Sequence, residues 1–217
     1  INPPIFNSNI SGLKSKLSIQ SQNNYIEHHS NSKQIVIIIG SQTCPHSSKD
    51  TLALKILESY LSYGMSSLLF KVFREKNGLT YDAGVFYPSR KLNAPFLIYL
   101  SVSKRNARLS FNLLLSLWND LLLKNLAADD LYLAKLKLKR SYLHCYRTLE
   151  EITFRKVRLL GLNMDPYYDE KVEGLINSIS SDQILRVTKK YFAYPCTSIS
   201  GTKKVCEELK KIWETNF

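Results

Sequence analysis

Gly64-Met-Ser-Ser-Leu-Leu-Phe-Lys-Val-Phe-Arg-Glu-Lys-Asn-Gly-Leu-Thr-Tyr-Asp-Ala-Gly84 changes its hydrophobic period halfway along. Leu68, Leu69, Val72 and Phe73 recur at helical spacing, Ser66 or Ser67 stands where a helix start is capped, and Asn77-Gly78 supplies a left-handed turn to end it. Beyond the turn, Leu79, Tyr81, Ala83 and Val85 alternate with Thr80, Asp82 and Gly84, the period of a strand with two unlike faces. The stretch therefore reads as a short helix, a corner and a strand, with Arg74 in the last helical turn and Tyr81 seven residues later.

The residues alone leave two readings of that pair. Tyr81 can be a strand aromatic packed beside Leu79 and Val85, with Arg74 a cation favoured by the negative end of its helix. Alternatively, Arg74 offers a donor fork to a peptide carbonyl, and the Tyr81 hydroxyl can donate to an oxyanion.

The run Gly-Met-Ser-Ser-Leu-Leu-Phe followed by Phe-Arg-Glu-Lys-Asn-Gly-Leu-Thr-Tyr resembles the GMSSRLF…REKRGLAY signature of the pitrilysin (insulinase-type) zinc peptidases, the inverzincins, in the half that does not carry zinc. The resemblance implies one α+β half-unit of the processing-peptidase kind, two of which close like a clamshell around a peptide. It also implies that Arg74 and Tyr81 face the chamber and bind substrate near a zinc ion held by the other half. Leu68 departs from the pattern, standing where an arginine usually follows the Ser-Ser pair, so no guanidinium contact carries over there.

Working outward, residues 1–12, with Pro3, Pro4 and Gly12, have linker composition, and residues 13–217 read as one domain. The polar run Leu17 to Gln22 reads as an edge strand, and Gln34 to Gly40, with five consecutive β-branched residues, as a strand buried on both faces. Ser47-x-x-Asp50 reads as a capping-box variant opening a helix closed by Gly64. Phe96 to Val102 is a strand able to pair antiparallel with Leu79 to Tyr87. Helices follow over about 106–124, with Leu109, Leu113, Leu114, Leu117, Trp118 and Leu121 on the inner face, then over 129–147, 150–162, 169–179 and 182–192, the last capped by Ser181. A strand at 194–200 and a helix at 205–213 complete an α+β fold, an antiparallel sheet with helices packed mainly on one face.

Catalytic signatures are missing. The H-x-x-E-H zinc motif does not occur, and neither does a G-x-S-x-G elbow, a P-loop or a G-x-G-x-x-G fingerprint. His28 and His29, as strand neighbours, point to opposite faces; they, His46 and His144 read as surface or loop histidines, so no metal is expected in this chain. Cys145 beside His144 lacks an orienting third group and reads as an inert thiol.

Thirty Lys and Arg against 18 Asp and Glu give a net charge of +12, yet no nucleic-acid signature accompanies it. Lys135, Lys137, Lys139, Arg140, Arg147, Arg155, Lys156 and Arg158 read as a solvated outer face or as a docking surface for an acidic partner subunit. Cys44, Cys145, Cys196 and Cys206, without a C-x-x-C pair, fit a reducing compartment, an organelle matrix or stroma or a bacterial cytoplasm. No run is long and apolar enough to span a membrane, and a chain opening on Ile1 reads as a processed product or a portion of a longer one.

The function implied by the resemblance is that of a zinc-free, substrate-binding half of a metallopeptidase, non-catalytic alone, working with an H-x-x-E-H half on unstructured peptides. A silent structural core subunit of a respiratory complex is the competing role for the same fold.

Overall fold

The computed structural model describes residues 24–80, 82–144 and 148–217. Tyr81, Cys145, Arg147, the linker and the edge strand expected at 17–22 lie outside them. Within the described residues five strands, β1 (Asn24–His29), β2 (Gln34–Gln42), β3 (Asp82–Phe86), β4 (Pro95–Ser103) and β5 (Cys196–Gly201), form one sheet in the order β1-β5-β2-β4-β3. Every pairing is antiparallel except that of β1, which runs parallel to β5 at the edge.

Alternation sorts the sheet into two faces. Ile35, Ile37 and Ile39 of β2 are fully buried, together with Phe96, Ile98 and Leu100 of β4 and Ile199 of β5. Val36, between them in sequence, is 38% exposed, which overturns the expectation that β2 is buried on both faces. The β-branched run is continuous because Val36 and Ile38 sit on the second face of the sheet, where residue type follows strand propensity as well as burial. At Gly40, a Cβ would lie 2.6 Å from the Phe96 carbonyl oxygen and closer still to Leu97 Cδ2, so close approach of β4 requires glycine there.

Among the described residues seven α-helices accompany the sheet: α1 (Thr51–Ser62), α2 (Ala107–Leu123), α3 (Ala128–His144), α4 (Leu149–Gly161), α5 (Tyr168–Ser178), α6 (Ser181–Tyr191) and α7 (Lys203–Asn216). Helices α1, α2 and α7 touch strands directly, and α1 also packs on α3 and α6. The inner face of α2 carries Phe111, Leu114, Leu115, Leu117, Trp118 and Leu121; Leu109 turns outward, half exposed, which corrects its inward assignment. Trp118 stacks on Phe192 with centroids 4.5 Å apart and donates from Nε1 to the Phe192 carbonyl at 3.2 Å.

Caps along the chain differ from expectation. Asp50 leads into α1 without a side-chain cap, because its carboxylate is drawn to α6 instead, accepting from Arg186 (2.8 Å), Lys190 (2.8 Å) and Tyr191 (3.0 Å). Burial pushes that carboxyl upward, but the three donors outweigh it and hold it below its ordinary range. Ser180, not Ser181, caps α6 in a reciprocal box with Gln183, and Thr148 with Glu151 forms a second box at α4 that the sequence reading missed. The basic face also needs correction. Arg155 is not solvated but forms a bidentate pair with the buried Asp169 at 2.6 and 2.9 Å, while Lys139 pairs with Glu173.

Candidate functional site

The corner at 64–84 begins with Gly64 at φ 76°, a conformation that releases the chain from α1. After a turn of helix at Leu68 and Leu69, residues Phe70–Lys76 wind as a π-helix with no side-chain cap at its start, so the serine cap read from Ser66 or Ser67 is not made there. It ends at Gly78, φ 58°, where the Leu79 N–H reaches back to the Phe73 carbonyl at 2.7 Å and Asn77 Nδ2 donates to Val72 O, also at 2.7 Å. π-turns are rare and concentrate at functional positions.

Arg74 lies on the solvent side of this π-helix, its guanidinium 5.0 Å from the centre of the Phe70 ring. It lines a hollow of about 260 Å³ with Gly64, Met65, Ser67, Phe70 and Thr80, beside β3. Buried Thr80 holds the strand entrance: its hydroxyl donates to the Ser101 carbonyl, and the Asp82 N–H donates to it at 3.0 Å. Tyr81 lies outside the described residues. Leu68, at the position of the family's arginine, lines an apolar groove with Tyr60, Val72 and Leu113, so leucine suits its surroundings.

Register places Asp82, Gly84 and Phe86 on one face with Ser101, Tyr99 and Leu97, and with Val36 and Ile38 of β2. On this face Ile26, Val36 and Phe86 are exposed at 62, 38 and 49%, and Tyr99 crosses over Gly84. Asp82, Ser101 and Ser198 share this face, so its exposed apolar side chains are interspersed with polar ones.

His46 lies in the loop between β2 and α1, as the sequence reading allows, but not at the surface. It is 6% exposed, its Nε2 has no hydrogen-bond partner, and it borders a hollow of about 240 Å³ with Ser48, Lys49, Tyr168 and Ile179. Burial first, then the positive charges of Lys55, Arg155 and Arg158, lower its pKa to about 4 from the ordinary 6.5. Between those values the unfolded chain accepts a proton that the folded chain refuses, so stability is fully present above pH 6.5 and falls as the pH drops toward 4. The loss attributable to His46 approaches about 3 kcal/mol. Urea midpoints measured from pH 7 to pH 4.5 are expected to fall less steeply for His46→Gln than for the unmodified chain.

Sequence comparison brings the family into view: residues 8–138 match the model of the peptidase M16 inactive domain. The chain belongs to that family. No curated protein sequence matches it. Among solved structures, the peptidase M16 inactive domain from Pseudomonas fluorescens aligns with TM-score 0.76 at 17% identity over 84% of this chain and 44% of that one. A protease from Helicobacter pylori gives the same TM-score and identity, over 84% of this chain and 45% of its own. The periplasmic protease PqqL from Escherichia coli aligns with TM-score 0.67 at 14% identity, over 85% of this chain and 21% of its own. The chain thus spans less than half the length of these relatives.

The resemblance read from the corner is therefore borne out: the chain is an M16 inactive domain, the C-terminal, non-catalytic half of the pitrilysin type. The α+β fold is borne out with it, modified by the parallel pairing of β1. No helix among the described residues is long and apolar enough to cross a membrane.

Proposed function

We propose that this M16 inactive domain holds peptide substrate for a zinc-bearing H-x-x-E-H half, supplied by the same precursor or by a second chain. The observation that carries the reading is the family match combined with a sheet face on which Ile26, Val36 and Phe86 stay exposed. Extended, unstructured peptides suit such a face. Arg74, beside its hollow, is assigned to the peptide backbone, and Tyr81 is assigned to the oxyanion that forms when zinc-activated water attacks the scissile carbonyl. This chain supplies donors and a wall; the partner supplies the metal and its water.

The test joins this domain to its zinc-bearing half, fused or as two chains, and follows cleavage of an unstructured peptide. Hydrolysis is expected only with both halves present, abolished by a chelator and restored by zinc. An assembly that forms without hydrolysing any peptide would sink this reading and make the domain a silent structural subunit.

A further inference from the structure

At the edge of the sheet farthest from β3, the parallel pairing puts Tyr25, Glu27 and His29 of β1 on the same face as Thr197, Ile199 and Gly201 of β5. Helix α7 crosses that face, and Tyr25 Oη donates to the backbone carbonyl of Cys206 at 2.7 Å, fixing the first turns of α7 over the strand. Cys206 is fully buried beneath them, while His29 Nε2 stands 3.1 Å from Glu27 Oε1. One thiol sulfur, one imidazole nitrogen and one carboxylate oxygen thus lie within 4.8 Å of one another.

We propose that Glu27, His29 and Cys206 bind a zinc ion that clamps strand β1 to helix α7. Tetrahedral zinc, with bonds of about 2.0–2.3 Å, places its ligand atoms roughly 3.3–3.7 Å apart. The His29–Glu27 separation is already close to that edge length. The remaining contraction is small, and it falls on Glu27 and His29, whose side chains are 30 and 46% exposed and can turn. Their open side leaves water as the fourth ligand.

Charge balances as well. Binding transfers the Cys206 thiol proton to solvent, and Zn²⁺ with one thiolate, one carboxylate and a neutral imidazole sums to zero, which suits a half-buried position. A mixed sulfur, nitrogen and oxygen set favours zinc or cobalt over magnesium or calcium. The proposal stands independently of the peptide-holding role.

Zinc titration of the reduced chain, monitored by a competing chromophoric chelator and by thermal melting, tests it. About one zinc per chain and a raised Tm are expected, with affinity weakened at least about tenfold in His29→Gln, Glu27→Gln and Cys206→Ser. His28→Gln, on the opposite face of the same strand, serves as the control and retains full affinity. Substituting cobalt is expected to give a near-ultraviolet thiolate charge-transfer band that Cys206→Ser abolishes. No uptake at micromolar zinc, or uptake that survives both His29→Gln and Glu27→Gln, would overturn the site; these two substitutions are on exposed side chains and leave the fold intact.

Discussion

Tyr81→Phe, in the assembled two-half peptidase, is expected to lower kcat by about 10²- to 10³-fold with little change in KM. A hydroxyl that donates to the oxyanion acts where charge develops, so its loss appears in the transition state and not in ground-state binding. Arg74→Ala is expected to act differently, raising KM more than it lowers kcat, because a fork on a backbone carbonyl grips substrate and transition state alike. Arg74 is exposed and its contact with the Phe70 ring is a surface one, so its removal is expected to change folding stability by no more than about 1 kcal/mol, and a urea melt separates lost binding from lost folding. Steady-state kinetics on both variants decide the assignment. Unaltered turnover in both would leave the corner a structural bend.

Trp118→Ala is expected to cost about 3–5 kcal/mol of stability. The side chain is fully buried, its ring stacks on Phe192, and its N–H satisfies the Phe192 carbonyl just past the end of α6. Truncation opens a cavity under α2 and also leaves that carbonyl without its donor. Because whole domains are stable by only about 5–15 kcal/mol, the variant is expected to unfold at a much lower urea concentration with an unchanged m-value. Trp118→Phe keeps most of the packing and is expected to lose less. Leu123→Ala, at a position 73% exposed on the same helix, is expected to shift the midpoint negligibly.

What was legible in the sequence was what local period encodes. The corner, β2, the β3–β4 hairpin and the helix order follow from spacing, because amphipathic faces repeat within a few residues. The family resemblance likewise rested on contiguous residues. The rest depended on partners far along the chain. Asp50 looked like the acidic member of a capping box with Ser47 because Arg186, Lys190 and Tyr191 are invisible from its neighbourhood, and Arg155 looked solvated because Asp169 lies fourteen residues away in sequence. His46 looked exposed because loop histidines usually are. Glu27 and His29 share a strand face, a relation available from their spacing, but nothing near them announces Cys206. The parallel placement of β1 was equally silent, since a strand's direction relative to a distant neighbour leaves no trace in its own residues.

That placement has a consequence for how the protein is made. Among the described residues β1 bonds only to β5, and β2 gains its second neighbour from the same strand, so both early segments wait on the ribosome until residue 201 has emerged. Throughout that interval the nascent chain carries an isoleucine-rich ribbon with an unsatisfied flank, open to any stray strand. Completion of the sheet is thus a late, long-range closure, and growth from residue 103, where β4 ends, to residue 201 is the period in which a holdase would serve this chain most.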